Sequence, residues 1–264
     1  MLVHTYFTDG FYGYAKILIK SFKYFHGEEN VIIATTRNLT DSNMLELDNI
    51  YKNLIILNKK IDMTSLSKRS GYSIEQLLKF KESVEYYKIT AGHSNVIWKQ
   101  YISVEDRYRN SILEAYNYDH GEKYIMHIDA DSYIKKSLDP LFEVIQNNDV
   151  SLILRLDRGR DIKKIYGTLS GYTIGKNSRR FLEKWRFHID KIHLKDKPQG
   201  YGQSSCYYAW RDLKNSGIKF GVINKNWVHA YDLHDGLLIR TGNHGRGKTK
   251  TLEIFENEWR EMNG

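Results

Sequence analysis

The chain has 264 residues, 41% of them hydrophobic and 13% aromatic, and carries 40 Lys+Arg against 32 Asp+Glu for a formal charge of +8. That is enough apolar material for a substantial core, but no apolar run is long enough to span a bilayer as a helix. The single Cys206 excludes an internal disulfide and agrees with a reducing compartment, and the excess of cations favours anionic partners: nucleotides, acidic glycans, nucleic acid or anionic lipid headgroups.

The opening "MLVHTYFTDG" reads as a strand entering a turn, without the charged start and long apolar stretch of a secretory leader, so a soluble cytoplasmic protein is expected. A helical pattern follows in "YGYAKILIKSFKYF", then short β-branched runs in "VIIATT" and "NLIILN". The segment from Ser73 to Tyr118 is long, charged, aromatic-rich and mainly helical in pattern, suited to covering a sheet edge or holding an acceptor. Strand patterns resume at "YIMHID", "VSLILRL", "SGYTIG" and "GVIN". Between them "NSRRFLEKWRFHIDKI" predicts a helix capped by Asn177 or Ser178, with Phe181, Leu182, Trp185, Ile189 and Ile192 on its buried stripe. This alternation predicts an α/β fold with a mostly parallel sheet flanked by helices. Pro140 and Pro198 are the only prolines, and neither a low-complexity linker nor a fixed-period repeat interrupts the chain, so residues 1–264 are expected to form one domain. The densest basic clusters, "RLDRGRDIKK" (155–164) and "RTGNHGRGKTK" (240–250), contain glycine and are expected to be loops.

Chemistry is expected where "YIMHIDADSYI" leaves the sheet, because ligands of open α/β sheets gather beyond the carboxyl ends of the strands. In extended backbone, residues two apart share a side, so Asp129 and Asp131 can converge while Ala130 faces away. A divalent cation would remove their repulsion. Mg²⁺ and Mn²⁺ prefer oxygen ligands and can bridge a protein to a diphosphate. The alternative is a solvated acidic loop. His127, inside the apolar run, reads as a core residue.

These residues resemble the strand and D-x-D motif of glycosyltransferases of the GT-A fold, especially the retaining glycogenin-like and galactosyltransferase-like family. A second likeness stands in "HGRGKTK", where His244, Gly247 and Lys250 match H-x-x-G-x-x-K. There the resemblance implies a third metal ligand at His244 and a lysine on the diphosphate at Lys250. A third stands in "YFTDGFYGYAKILIKSF", where Thr8 and Tyr12 fall on the residues that contact and stack on the base. In "DRYRNSILEAY", Arg109, with Arg107 as competitor, falls on an arginine holding the donor's phosphate or sugar. "TLSGYTIG" and "GYGQSSCYYAW" resemble the donor-sugar contacts, keeping Ser170, Gly171 and Gln203, but Leu169 stands for an Asn and Gly202 for an Asp. His229 or His234 in "VHAYDLHDG" competes with His244 as the ligand.

The resemblance implies a single GT-A domain with a nucleotide-binding half (1–135) and an acceptor-binding, metal-completing half (136–264). It implies Mn²⁺ or Mg²⁺ as cofactor and a nucleotide-sugar donor, a UDP-sugar first among them. The acceptor would be a hydroxyl of a glycan, protein or small molecule, and nucleic acid is not an expected partner. Gln203 would be the neutral amide of a retaining mechanism; inversion would need a carboxylate base, such as Asp157 or Asp161. Two other readings compete: a haloacid-dehalogenase-like phosphatase, whose paired aspartates normally follow the first strand, and a nucleotide-sugar or polyanion-binding protein without turnover.

Overall fold

In a computed structural model, residues 1–78, 106, 110–161, 164–191, 201–228, 238–241 and 248–263 are described. The first three apolar runs form β1 (Leu2–Thr8), β2 (Val31–Arg37) and β3 (Leu54–Lys59), joined through α1 (Tyr12–His26) and α2 (Asp41–Ile50). After α3 (Met63–Ser70) and α4 (Ile112–Asn117) the chain re-enters the sheet as β4 (Tyr124–Ile128), then forms the short β5 (Ser132–Ile134) and α5 (Asp139–Gln146). The second half adds β6 (Val150–Leu154), β7 (Ile165–Thr173), α6 (Lys176–Asp190), α7 (Tyr201–Leu213), β8 (Phe220–Val222), β9 (Ile239–Thr241) and α8 (Lys248–Asn263).

One seven-stranded sheet runs through both halves in the order β3-β2-β1-β4-β7-β6-β8, and β5 pairs with β9 in a separate two-stranded sheet. The expected mostly parallel arrangement holds, with β7 antiparallel to both β4 and β6. The departure has a local cause. Parallel neighbours need a long crossover, and the connection 155–164 is turns and bends with only a 3₁₀ residue, Asp161, among its described residues.

Alternation along the strands divides the core. Leu2, Ile33, Ile125, Leu152 and Tyr172 face the helices that supply Ala115, Phe181, Trp185 and Ala209, whereas Val3, Ile32, Met126 and Leu169 face those that supply Leu18, Leu47 and Leu141. On α6, Phe181, Leu182, Trp185 and Ile189 are buried as the stripe predicts, and Ile192 lies outside the described residues.

The expected cap of that helix is corrected. Helix α6 starts at Lys176, so Asn177 and Ser178 lie inside its first turn, and Gly175 precedes it with no side-chain cap. Ser178 is fully buried and donates its hydroxyl to the carbonyl of Thr173. The capping work falls to Tyr116 of α4, whose hydroxyl accepts from the Gly175 N–H at 2.7 Å. The basic cluster 240–250 is also corrected. Arg240 and Thr241 belong to β9 and Lys248–Lys250 open α8, so neither end is loop.

His127 is fully buried, as expected of a core residue, and meets His4 of β1 with Nδ1 to Nδ1 at 3.0 Å, while His4 Nε2 lies 3.1 Å from Thr35 Oγ1. Burial, then the neighbouring His127 and Arg37, holds the His4 pKa well below the ordinary imidazole value.

Close packing sets one test. Gly171 of β7 lies against α5, and a Cβ there would stand 2.2 Å from Ile145 Cγ1. Gly171→Ala is expected to lower the unfolding free energy by about 1–3 kcal/mol through overpacking, read from the urea midpoint. An unchanged midpoint would contradict this contact.

Candidate active site

Strand β4 stops at Ile128, but its ladder continues one step further: the Asp129 N–H donates to the Thr168 carbonyl of β7 at 2.9 Å. The chain then turns through Ala130 and Asp131 into β5, where Ser132 stands opposite Thr241 of β9. The two acids therefore occupy a short turn pinned at each end by a different sheet. Ala130 is buried, as its small side chain predicts, and the Asp129 side chain is only 12% exposed.

Tyr166 of β7 faces this turn. Its pKa is raised, first by burial and then, after opposing hydrogen bonds from Thr168 and Thr241, by the negative charges of Asp129 and Asp131. Its hydroxyl lies 3.1 Å from Thr241 Oγ1, and the Arg155 guanidinium sits over its ring, 4.9 Å from the ring centre. Ser132, directly across from Thr241, is fully buried, and its Oγ has no hydrogen-bond partner among the described residues. Behind the turn, His127 Nε2 is 3.6 Å from Asp129 Oδ1, so the core imidazole also borders the acid pair.

The atoms on offer are oxygens, the ligand type that hard divalent cations prefer. The turn offers two carboxylates one residue apart and a buried, unmet serine hydroxyl beside them. Among the described residues no group of three or more His, Cys, Asp or Glu side chains could hold a metal. His244, His229 and His234, the sequence candidates for a third ligand, lie outside the described residues, as do Gly247, Arg109 and Arg107. Lys250 falls in the first turn of α8, its side chain outside the description.

Thr8 ends β1, the parallel neighbour of β4, and so stands on the same carboxyl edge as the acid pair. Tyr12 is the first residue of α1. Its hydroxyl donates to Glu46 of α2, and Lys16, itself 2.9 Å from Glu46, covers the ring at 5.1 Å. Gln203 lies in the first turn of α7, half-buried, and lines a narrow cavity with Tyr166, Gly167, Ser170 and Trp185. The Trp185 indole donates to the Gly202 carbonyl at 3.1 Å, fixing the start of α7. Leu169 is fully buried in the core, so the position matched to an Asn presents no polar group; Ser170 accepts from the Tyr172 hydroxyl at 2.9 Å. Asp161 pairs with Lys164 at 3.0 Å, and Asp157 is exposed. Cys206 is buried with its thiol pKa pushed well up by desolvation, as a structural cysteine would be.

The structure thus joins Asp129 and Asp131 to Tyr166, and Tyr166 to Gln203. Sequence reasoning missed Tyr166 and Thr241, and also the group at the end of β2. There the buried Arg37 meets Asp106 at 2.9 Å and Glu114 at 3.0 Å, with the Tyr6 hydroxyl donating to Asp106 at 2.7 Å. The one sequence signal for that group was an arginine closing the apolar run "VIIATTR".

No family profile and no curated protein matches the sequence. Solved structures match its shape. The galactosyltransferase LgtC, in complex with donor and acceptor sugar analogs, superposes with TM-score 0.57 at 12% identity, over 99% of this chain and 99% of that one. The glycosyltransferase GlyE of Streptococcus pneumoniae TIGR4 gives TM-score 0.57 at 10% identity, over 99% of this chain and 64% of its own. The bifunctional glycosyltransferase WbbM gives 0.50 at 11% identity, over 99% and 44%. The chain has the GT-A fold of glycosyltransferases. No helix among the described residues is long and apolar enough to cross a membrane.

Two like charges held on one pinned turn should repel when no cation is present. In chelator, Asp131→Asn is therefore expected to leave the melting temperature unchanged or raise it. A loss of stability above about 2 kcal/mol would show that the carboxylate serves the fold instead.

Proposed function

We propose that this protein is a metal-dependent glycosyltransferase that moves a sugar from a nucleotide donor, a UDP-sugar first among them, to an acceptor hydroxyl with retention of configuration. The observation that carries the reading is the acid pair on the turn out of β4, beside the end of β1, in a fold shared along its whole length with an enzyme crystallised with donor and acceptor sugar analogs.

In this reading Asp129 and Asp131 hold Mn²⁺ or Mg²⁺, with His244 as a further ligand. When bound, the cation supplies Lewis-acid neutralisation of the departing diphosphate. Thr8 and Tyr12 seat the base. The Tyr12–Glu46 bond sets the tilt of that ring, so a stacked base would lie on the face that Lys16 leaves open. Lys250 and Arg109 balance the phosphate charge, and Gly247 lets the backbone approach it. Gln203, beside Tyr166, offers the reacting carbon a neutral amide rather than a base. The departing phosphate oxygen then takes the acceptor proton, which keeps both bonds on one face of the sugar. Gly202, where the family has an Asp, offers no polar side chain to the sugar pocket, which favours a donor sugar with fewer hydroxyl contacts there.

Three outcomes are expected. UDP should raise the melting temperature more in Mn²⁺ than in chelator, because a ligand bound to the native state stabilises it in proportion to its affinity; equal shifts would remove the metal bridge. Gln203→Ala should slow transfer by about 10²-fold without abolishing it, and NMR of the anomeric proton at early time should show retention. An inverted product would transfer the role of base to a carboxylate.

A further inference from the structure

The basic cluster 155–164 has no part in the donor chemistry, yet it is fastened to the helix that carries Gln203. Lys164 bridges to Asp161 at 3.0 Å, lies over the Tyr207 ring at 4.6 Å and reaches the Tyr207 hydroxyl at 3.3 Å. Asp161 also accepts from the Tyr208 hydroxyl. Gln203, Tyr207 and Trp210 of α7 and Lys214, the residue after its end whose N–H still bonds the Trp210 carbonyl, follow at spacings of four, three and four, so they form one stripe. Tyr207 stands about 6 Å and Trp210 about 10 Å along the helix from Gln203. Their rings are stacked at 5.8 Å and 27°, a flat step half-buried against the sheet. Further cations crown it: Lys214 over Trp210 at 5.3 Å and Arg211 over Tyr208 at 5.0 Å. At the end nearest the acid pair stands Arg155, over Tyr166.

We infer that this ledge binds the acceptor, and that the acceptor is an acidic glycan, one carrying carboxylates or phosphates; the inference rests on the transferase reading above. The C–H face of a sugar packs on a flat aromatic step, while Lys164, Arg211 and Lys214 meet its acidic groups. Asp161, set among these cations, accepts from sugar hydroxyls. A bilayer fits worse, because the rings are half-buried under cations rather than projecting, and Asp161 would face anionic headgroups. The stripe begins at Gln203, so a glycan lying on it presents its end to the reacting centre.

The test uses oligogalacturonate and its fully methyl-esterified form, which share a backbone and differ in charge, with binding read by calorimetry and Trp fluorescence. The acidic form is expected to bind at least tenfold more tightly. The double variant Arg211→Gln/Lys214→Gln should lose about tenfold, while Lys20→Gln/Lys52→Gln, exposed cations on other elements, should not. UDP with Mn²⁺ should stabilise the Arg211→Gln/Lys214→Gln protein as it does the wild type. Equal binding of the two oligosaccharides, binding of neither, or equal losses in both double variants would overturn the inference, as would binding to vesicles of anionic lipid that the Arg211→Gln/Lys214→Gln change removes while oligogalacturonate binding persists. If UDP and Mn²⁺ fail to stabilise the wild type while the ledge variant still loses oligogalacturonate, the donor reading fails and the anionic-glycan surface stands.

Discussion

Two carboxylates separated by a single alanine repel, and the arrangement at the end of β4 is organised around keeping them together. The backbone of Asp129 is tied to Thr168 of β7, and the residue after Asp131 is tied into the β5–β9 pair, so the turn between them cannot relax by opening. Tyr166 closes the space beside both acids, linked through its hydroxyl to Thr241 and through its ring to Arg155.

The surrounding fold serves that turn. β4 lies at the centre of the sheet, between β1 and β7, so its end is flanked by Thr8 on one side and by Thr168 and Tyr166 on the other. Helix α8 then clamps the outer pair: Glu258 accepts from the Tyr133 hydroxyl and pairs with Arg240, while Phe255 packs on Tyr133 and Tyr14. One helix therefore fastens β5, β9 and α1 together, the elements that carry the turn's exit and the position matched to the base. Trp185 of α6 fixes the start of α7 and with it Gln203.

Much of this was legible in the sequence because it follows from period. Apolar runs of alternating face gave the strands, the α6 stripe gave its buried side, and the end of the run "YIMHI" marked where Asp129 and Asp131 leave the sheet, though on a turn rather than in extended backbone. What was hidden depends on contacts distant along the chain. Tyr166 and Thr241 are 75 residues apart in the chain, and Tyr166 stands beside a shift in the β6–β7 register between Leu152 and Ile153 that the sequence does not announce. The cap on α6 is a tyrosine from another helix, which no local capping rule can find. Leu169 looked like a changed site residue, but it is a core residue, and only burial distinguishes the two. His244, Gly247 and Arg109, matched to the family, lie outside the described residues, so for these the sequence likeness stands by itself.

The proposed function requires that the acid pair serve sugar transfer. Release of nucleoside diphosphate from a panel of nucleotide sugars, with Mn²⁺ and with chelator, in the wild type and in Asp131→Asn, tests this most directly. Release that requires Mn²⁺ and falls at least about 10²-fold in the variant is the result predicted here. Release from none of the donors, with or without acidic and neutral acceptors present, or release unaffected by the substitution, would contradict it.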